Sequence, residues 1–246
     1  MDTKVYSQFY EMEEKNWWFR GTRMFLLDWI HRYVKQSKPK ILDVGCGTGI
    51  WLSELVQIGD ASGLDISEEA YNFCTARGLS IKIGSIEKMP FTDSSFDLVT
   101  AIGVIEHIEN DSGAIKEIVR VIKPGGKVIL LTSAYKSLWS AHDDIVHHKR
   151  RYTKSEFDFL LSNNGLKVKS ISYLTSVLFP AIWPIRVLQR LFGWNPDPDK
   201  VTDIMKVPSI INQFLYSILR FESYFARLIP LPAGVNIVAI AEKKKD

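Results

Sequence analysis

The densest group of side chains that could do chemistry lies in residues 142–152, HDDIVHHKRRY. A histidine can take a proton from a hydroxyl because its pKa lies near neutral pH. His142 or His148 could therefore act as a base or as a hydrogen-bond donor. Arginine binds phosphate and carboxylate groups through a planar fork of N–H groups. The residues that could hold an acidic acceptor at the end of this run are Arg150, Arg151 and Tyr152.

Two other interpretations of residues 142–152 stay open. The charges could form a solvated face that is stabilised by internal ion pairs. Histidine and aspartate are also ligands of zinc and manganese, so a metal-dependent hydrolase could use them. The spacing matches no closed structural metal site, however, and we expect no metal here.

A glycine-rich turn within residues 41–49, ILDVGCGTG, is the second chemical feature. Residues 40–44 predict a buried parallel strand and residues 50–58 predict a helix. The glycines between them let the backbone approach a ligand closely. They alternate as G-x-G-x-G and not as the G-x-G-x-x-G of dinucleotide sites, which favours a ligand without a pyrophosphate. The residues of this turn that are predicted to contact the ligand are Asp43, Gly45, Cys46, Gly47 and Gly49.

Three more strands are predicted to end near this turn, because parallel strands end at the same edge of a sheet. Residues 61–66 form a strand that reaches Asp65, whose carboxylate can accept hydrogen bonds from both hydroxyls of a ribose. Residues 79–84 form the next strand. Residues 96–102 form the fourth, and His107 follows it as a candidate base. A histidine that only packs or caps is the alternative.

Four motifs in order make the chain resemble the class I S-adenosylmethionine-dependent methyltransferases. They are LDVGCGTG, GLDIS, FDLV and VIKPGG, and they lie within about residues 40–133. The resemblance implies an α/β fold with a Rossmann-like, seven-stranded sheet and S-adenosyl-L-methionine as the cofactor. It implies that the glycines admit the methionine part of this cofactor and that Asp65 holds its ribose. The further cofactor contacts that it implies are Ile66, Ser85, Ile86, Ile102 and Gly103.

The implied adenine contact departs from the family pattern at Ser85. The family often has an aspartate at this position, which accepts a hydrogen bond from the adenine amino group. Serine carries no charge but can still accept one hydrogen bond. Ile86 is implied to pack on the adenine ring, and Ile102 with Gly103 is implied to line the sulfonium end.

An aromatic run at residues 16–23, NWWFRGTR, precedes an amphipathic helix that is predicted at residues 24–34. One interpretation is a lid in which an aromatic ring such as Trp18 covers the cofactor and Arg20 or Arg23 pairs with its carboxylate. The alternative is that the aromatic residues pin the N-terminal arm to the domain. The chain resembles a subfamily of type 11 and type 12 methyltransferases that carries this WWFRG run together with an LWS-HD…HH-RRY run.

A helical insertion is predicted before the last strand. The strands of the closing hairpin are predicted at residues 166–173 and 235–241. The insertion between them could cover the pocket, form a dimer interface, lie on a membrane surface or enclose a lipid tail. Its prolines and arginines, with Trp183 and Trp194, suit the membrane interpretation. The predicted division is a helical arm at 1–38, a methyltransferase core at 39–173 and 235–246, and the insertion at 174–234.

Composition narrows the classes of function. The 246 residues can bury a full core and fit one domain with elaborations. A net charge of +3, without a dense basic stripe, argues against a nucleic-acid partner. The two cysteines indicate a reducing cytoplasm, and the polar N-terminus argues against a signal peptide. No apolar run is long enough for a membrane span, so we expect a cytoplasmic protein with peripheral contact at the inner membrane face as an option.

Together, these features predict methyl transfer from S-adenosyl-L-methionine to an oxygen of a small or lipid-linked acceptor. The resemblance to the subfamily implies a glycan or glycolipid as that acceptor. A quinone-ring O-methyltransferase is the alternative acceptor class. A chain that binds the cofactor without transferring its methyl group, as a sensor or partner subunit, is the alternative from another class of protein.

Overall fold

The computed structural model describes residues 3–192 and 207–244, which contain one seven-stranded sheet. Its strands are β1 (Lys40–Val44), β2 (Asp60–Asp65), β3 (Ile81–Ile83), β4 (Phe96–Ile102), β5 (Ile122–Ser133), β6 (Leu166–Leu174) and β7 (Asn236–Lys243). Their order is β3-β2-β1-β4-β5-β7-β6, and β7 runs antiparallel to both of its neighbours. The predicted seven-stranded α/β sheet with a closing hairpin is confirmed.

Helices connect and cover these strands. They are α1 (Thr3–Met12), α2 (Trp17–Tyr33), α3 (Ile50–Leu55), α4 (Glu68–Ala76), α5 (Asp111–Val121), α6 (Ala141–Ile145), α7 (Lys154–Asn163), α8 (Phe179–Leu191) and α9 (Ser209–Ala226). The last two lie between β6 and β7, so the predicted helical insertion before the last strand is also confirmed. Among the described residues, no helix combines the length and apolar character needed to cross a bilayer.

The central strand β1 is apolar along most of its length because both faces of the sheet are covered. Leu42 and Val44 belong to the apolar cluster on one face, and Ile41 belongs to the cluster on the other. In register, Leu42 lies opposite Val99 of β4. Burial on both sides explains why a short apolar run was sufficient to predict this strand.

Strands β1, β2 and β4 end side by side. Val44 pairs with Leu64 of β2 and with Ala101 of β4. The N–H of Gly45 then donates to the carbonyl of Leu64 over 2.7 Å, which starts the glycine turn at this edge. The residues that follow the three strands are therefore brought together by the register of the sheet.

The aromatic run near the N-terminus lies inside a helix, which corrects the predicted boundary. α2 begins at Trp17, seven residues before the predicted start at 24. The side chain of Asn16 accepts a hydrogen bond from the N–H of Trp18 over 2.9 Å and caps the helix. Asparagine is a strong capping residue, so this boundary was readable from the sequence.

The starts of α8 and β5 have local causes. α8 begins at Phe179, with Pro180 in its first turn, where the missing N–H costs little. β5 begins at Ile122, because Ile122 already pairs with Phe96 of β4. Trp194 lies outside the described residues.

Candidate functional site

A cavity of about 900 Å³ lies at the edge where β1, β2 and β4 end, which is near the upper end of the size range for small-molecule sites. Twelve of the thirteen predicted cofactor contacts line it: Trp18, Arg23, Asp43, Gly45, Cys46, Gly47, Asp65, Ile66, Ser85, Ile86, Ile102 and Gly103. The three predicted histidines line it too: His107, His142 and His148. One cavity thus brings together the two stretches that carried the chemistry in the sequence.

Gly49 is the predicted contact that does not line this cavity. It is the residue before α3, with a φ of 85°. A Cβ atom on it would lie 2.8 Å from both the sulfur of Cys74 and a methyl carbon of Leu79. Its glycine character is therefore required by the packing of the turn against α4 and the segment that follows it.

Two other glycines leave open space at the cavity wall. Gly47 has a φ of 55° and Gly103 a φ of 69°, a region that side chains other than glycine rarely adopt. A Cβ atom on either residue would meet no other atom within 4 Å. Both positions form a cradle that an ordinary side chain would partly fill.

Asp65 anchors the glycine turn at the end of β2. One of its carboxylate oxygens accepts from the N–H of Gly47 over 2.9 Å. The other accepts from the N–H of Ser67 over 3.0 Å and from the hydroxyl of Tyr6 over 3.3 Å. Burial, with the negative charge of Asp65, raises the pKa of Tyr6, so this hydroxyl stays protonated and donates. No sequence signal links Tyr6 to a residue 59 positions away.

Asp43 is a second buried carboxyl group, located in β1. It accepts a hydrogen bond from the hydroxyl of Thr100 over 2.7 Å. Burial raises the pKa of Asp43 to about 7; the Thr100 hydrogen bond opposes this rise and the charge of Asp65 adds to it. Asp43 thus titrates near neutral pH.

The predicted adenine contacts lie on the segment after β3. The hydroxyl of Ser85 accepts from the N–H of Glu87 over 3.1 Å, which shapes the local turn. Ile86 is buried and lines the cavity. An apolar surface suited to an aromatic ring is therefore present beside a neutral hydroxyl.

The two arginines of the aromatic run have protein partners. Arg23 donates to Glu54 over 2.5 Å and to the carbonyl of Glu13 over 2.7 Å. The guanidinium of Arg20 lies 4.2 Å from the ring centroid of Tyr216 in α9. The pairing of either arginine with a cofactor carboxylate remains a prediction, and Arg23 would have to share its guanidinium with Glu54.

The N-terminal arm is bound to the glycine turn by polar contacts that the sequence analysis missed. The carboxylate of Glu13 accepts from the hydroxyl of Thr48 and, over 2.8 Å, from Arg77. Arg77 also donates to the carbonyl of Thr48 over 2.9 Å. α1 is thereby held over the turn from two sides.

A network of charged side chains around Asp143 forms the histidine wall, which we define as His107, His142, His148 and Arg151 with Asp143 behind them. Asp143 is 0 % exposed and accepts from Arg151 over 2.7 and 3.0 Å. Its carboxylate lies 2.7 Å from Nδ1 of His148. Burial alone would raise the pKa of Asp143, but hydrogen bonds from His148 and Arg151 outweigh burial and hold the pKa well below its usual range.

The ring of His148 is oriented by this carboxylate and borders the cavity. Its centroid lies 4.6 Å from that of His107 and 6.0 Å from that of His142. Burial lowers the pKa of His107, the charge of Glu106 opposes that effect, and His148 adds to it. A neutral His107 is therefore expected beside His148 near neutral pH.

Two of the three predicted acceptor-binding residues do not line the cavity. Arg150 donates to Asp111 over 2.9 Å and to the carbonyl of Glu109 over 2.8 Å. The hydroxyl of Tyr152 donates to the same carboxylate of Asp111 over 2.8 Å, and its ring is buried in the core. Of the three, only Arg151 lines the cavity, because Arg150 and Tyr152 both bind Asp111 instead.

Glu106 is a buried cavity residue that sequence reasoning passed over. It accepts from the hydroxyl of Thr132 over 2.9 Å, and from the N–H and hydroxyl of Ser133 over 3.2 and 3.1 Å. Its position directly before His107 was the signal that could have found it. Within the described ranges, no group of three or more acidic, histidine or cysteine side chains is placed to hold a metal ion.

Comparison with known proteins finds similarity over part of the chain. Residues 42–130 match the sequence profile of the family described as Methyltransferase domain. Ajmaline N-methyltransferase from Rauvolfia serpentina is 29% identical over 69% of this chain and 60% of its own length. A ubiquinone biosynthesis O-methyltransferase from Dechloromonas aromatica is 33% identical over 43% of this chain and 49% of its own length. The chain thus spans about half the length of the curated relatives that it matches.

Among solved structures, the chain is similar to the putative methyltransferase in a complex with the Haloferax volcanii Trm112 methyltransferase activator. That likeness has a TM-score of 0.65 and 18% identity, and it covers 99% of this chain and 96% of the other. At this level of identity the likeness shows the fold. It confirms the Rossmann-like methyltransferase architecture predicted from the sequence.

Proposed function

We propose that this chain, which carries a class I S-adenosylmethionine-dependent methyltransferase domain, transfers a methyl group to a hydroxyl of a small or lipid-linked acceptor, such as a glycan or glycolipid. The observation that carries the proposal is one cavity that both the glycine turn and His148 line, with Asp143 bound to His148 from behind. The proposed cofactor-binding residues and a side chain able to accept a proton therefore border the same cavity.

S-adenosyl-L-methionine is the cofactor that the family and fold imply, and the cavity residues fit it. Gly47 and Gly103 leave open the space that a Cβ atom would fill. The carboxylate of Asp65 is held in place by the N–H groups of Gly47 and Ser67, and it could accept further hydrogen bonds from a ribose. Gly45, Gly47 and Asp65 would hold its methionine and ribose parts, and Ile86 would pack on its adenine. When bound, this cofactor supplies a methyl group on a sulfonium centre that is ready for transfer.

His148 is assigned as the base in this proposal. Its Nδ1 lies against the ionised Asp143, which favours the tautomer that leaves Nε2 able to accept a proton. The acceptor hydroxyl would give its proton to Nε2 as its oxygen takes the methyl group. His107 and His142 lie beside this ring and would act as neighbours that orient the acceptor.

The N-terminal arm and the helical insertion are each given a role in this proposal. Residues 1–38 would form a lid over the cofactor, which the contacts of Tyr6 and Glu13 with the glycine-turn region support. Residues 174–234 would cap the acceptor side. Arg151 is the acceptor-binding arginine that this arrangement supports best, because it lines the cavity.

A quinone-ring hydroxyl is the second acceptor class. It is favoured by the similarity to the Dechloromonas aromatica O-methyltransferase, whose name gives its pathway as ubiquinone biosynthesis. The alternative from another class of protein, a sensor that binds the cofactor without transferring methyl, predicts cofactor binding with no turnover.

Label transfer tests the proposal. The protein is incubated with methyl-labelled S-adenosyl-L-methionine and a host extract, which is then separated into soluble, lipid, protein and RNA fractions. We expect label in the lipid or soluble small-molecule fraction. His148→Ala should lower the rate by about 10²- to 10⁴-fold, the usual contribution of a general base, with cofactor affinity unchanged.

Two controls make this test decisive. His31→Ala changes an exposed histidine at the end of α2 and should leave the rate intact. His148→Asn keeps a polar partner for Asp143 and checks that the loss does not come from misfolding. Full turnover by His148→Ala would show that His148 is not the base. Cofactor binding with no label in any fraction would favour a sensor that binds the cofactor over an enzyme.

A further inference from the structure

The helical insertion presents a large apolar surface to solvent. Among the described residues, fourteen of the twenty exposed large apolar side chains belong to residues 177–229. We call them the apolar face: Val177, Trp183, Ile185, Leu188, Leu191, Phe192, Ile210, Ile211, Phe214, Phe221, Tyr224, Phe225, Leu228 and Ile229. Surfaces of this kind mark interaction sites, whereas single exposed apolar residues need no explanation.

α9 carries apolar side chains on two sides. Its outward stripe includes Phe214, Phe221 and Phe225, which share one side of the helix at this spacing. Its inward side buries Leu219 and Ala226 together with the polar residues Glu222 and Ser223. An ordinary surface helix has polar residues on its outward side, so the aromatic stripe of α9 is the unusual feature.

Polar contacts hold α9 in this orientation. The carboxylate of Glu222 accepts from the N–H groups of Thr175, Ser176 and Val177 over 2.6, 2.7 and 3.0 Å. The hydroxyl of Ser223 donates to Asp28 of α2 over 2.6 Å. Rotation of the helix to bury its aromatic stripe would leave Glu222 in solvent and three N–H groups without this acceptor. The apolar face is therefore a fixed feature of the fold.

The charges that α8 and α9 do not bury are of one sign. Arg186, Arg190 and Arg220 belong to the same two helices as most of the apolar face. Within the described bounds of α8 and α9, Glu222 is the one acidic residue, and it is buried. An apolar surface with basic residues and an exposed tryptophan, here Trp183, matches a helix pair that lies in the plane of a membrane surface.

We infer that the apolar face docks on a membrane surface that carries anionic lipid headgroups. The aromatic and aliphatic side chains would enter the boundary between headgroups and acyl chains, and the arginines would meet lipid phosphates. A second copy of the chain fits this face less well. A symmetric dimer would bring the same three arginines together, and α8 and α9 expose no acid that could pair with them.

The docked face would open directly onto the cavity. Ile182, Ile185, Arg186 and Gln189 of α8 line the cavity, as does Leu215 of α9. Ile185 is also 54 % exposed, so it belongs to both the cavity rim and the apolar face. A lipid-linked acceptor could then pass from the membrane towards His148 without leaving the surface. This last step rests on the proposed function, whereas the docking does not.

Vesicle flotation tests the docking. The purified chain is mixed with vesicles of phosphatidylcholine alone or of phosphatidylcholine with phosphatidylglycerol, in the absence of any acceptor. We expect flotation with the anionic vesicles. Phe214→Ser with Phe221→Ser should weaken the partition at least about tenfold, since each phenylalanine loses its burial in the interface. Arg190→Gln with Arg220→Gln should weaken it about fivefold for each arginine removed, on anionic vesicles only.

Matched controls lie elsewhere on the surface. Phe159→Ser removes a phenylalanine of α7 that is 67 % exposed, and Lys116→Gln removes an exposed charge of α5. Neither should change flotation. Phe221 is 61 % exposed, so its replacement should leave the melting temperature and the cofactor affinity unchanged, and both are measured.

The outcomes separate the two proposals. No flotation on anionic vesicles, or equal flotation of the phenylalanine variants, would overturn the docking while cofactor binding and label transfer stand. A dimer in solution that Phe221→Ser dissociates would also overturn it, because the face would then belong to a second copy. Flotation by a chain that shows no cofactor binding would keep the docking and remove the methyl-transfer proposal.

Discussion

Asp43 and Asp143 are both almost fully buried, at 2 % and 0 % exposure, yet their pKa values are shifted in opposite directions. Asp43, in β1 beside the glycine turn, has a neutral hydroxyl as its partner, and its pKa is raised to about 7. Asp143, in α6, contacts Arg151 and His148, and its pKa is held well below the usual range. Burial disfavours the charged form of both acids, and at Asp143 the hydrogen bonds from His148 and Arg151 outweigh that effect.

The difference indicates how the two sides of the cavity work. On the glycine-turn side, backbone groups and a carboxyl group near its titration point form the wall. On the histidine wall, an ionised carboxylate orients an imidazole and fixes its tautomer. The first arrangement suits close approach to a ligand, and the second suits transfer of a proton.

The largest effect should come from removal of the ionised acid. Asp143→Ala would leave the buried guanidinium of Arg151 without its partner, and we expect a loss of about 3–5 kcal/mol in the free energy of unfolding. Chemical denaturation measures it. Asp144→Ala, at the exposed neighbouring position, should cost far less. Equal losses in the two variants would show that the histidine wall does not depend on the Asp143–Arg151 pair.

The pH dependence of the free energy of unfolding should reveal the raised pKa of Asp43. The folded pKa of Asp43 lies above its unfolded value, so the folded state binds more protons between about pH 4 and 7. The free energy of unfolding should therefore fall as the pH rises through this window. The destabilisation caused by ionisation of Asp43 is absent below about pH 4 and reaches on the order of 2–4 kcal/mol above pH 7.

Asp43→Asn removes this titration and keeps the shape of the side chain. Denaturation curves at pH 4.5, 6 and 7.5 should show a flatter profile for the variant than for the parent chain. Asp143 has the opposite sign, because its depressed pKa gives stability that is present at neutral pH and is lost only in strong acid. Identical profiles for parent and Asp43→Asn would mean that Asp43 is ionised throughout, like Asp143.

The affinity for the cofactor should depend on the glycine-turn side of the cavity. Asp65→Ala removes the carboxylate at the end of β2, and a hydrogen bond to a charged group is worth about 1.5–3 kcal/mol. We expect the Kd for S-adenosyl-L-methionine, measured by calorimetry, to rise about 10- to 100-fold. Asp60→Ala, at the exposed start of the same strand, is the control and should bind as the parent does. An unchanged Kd in Asp65→Ala would move the ribose contact elsewhere.

The smallest stability effect should come from the glycine turn itself. Gly47→Ala introduces a Cβ atom at a φ of 55° but meets no neighbour, so we expect a cost of about 1–2 kcal/mol with weaker cofactor binding. In Gly45→Ala the new atom would lie 2.4 Å from a methyl group of Val104 and should cost more. Thermal melts of the two variants compare them directly. A greater loss in Gly47→Ala would contradict the open cradle.

The sequence was sufficient for the sheet and for the turn beside it. A buried strand, three glycines and a strand that ends in Asp65 are local patterns, and parallel pairing then brings their ends to one edge. The candidate contacts of this turn line one cavity, with Gly49 as the exception, because the function of the turn depends on backbone conformation that glycine alone allows. Where the prediction missed a helix boundary, as at Trp17, the capping signal of Asn16 was present but was not used.

Only the tertiary structure decided the rest. The run at residues 142–152 has the composition of a site, but its residues face different ways. Arg151 lines the cavity and donates to Asp143, whereas Arg150 and Tyr152 both contact Asp111, a residue distant in sequence. The outward direction of the apolar stripe of α9 was equally hidden, since periodicity shows that a helix has two faces but not which one is buried. That choice depends on partners such as the N–H groups that Glu222 caps, and they come from another part of the chain.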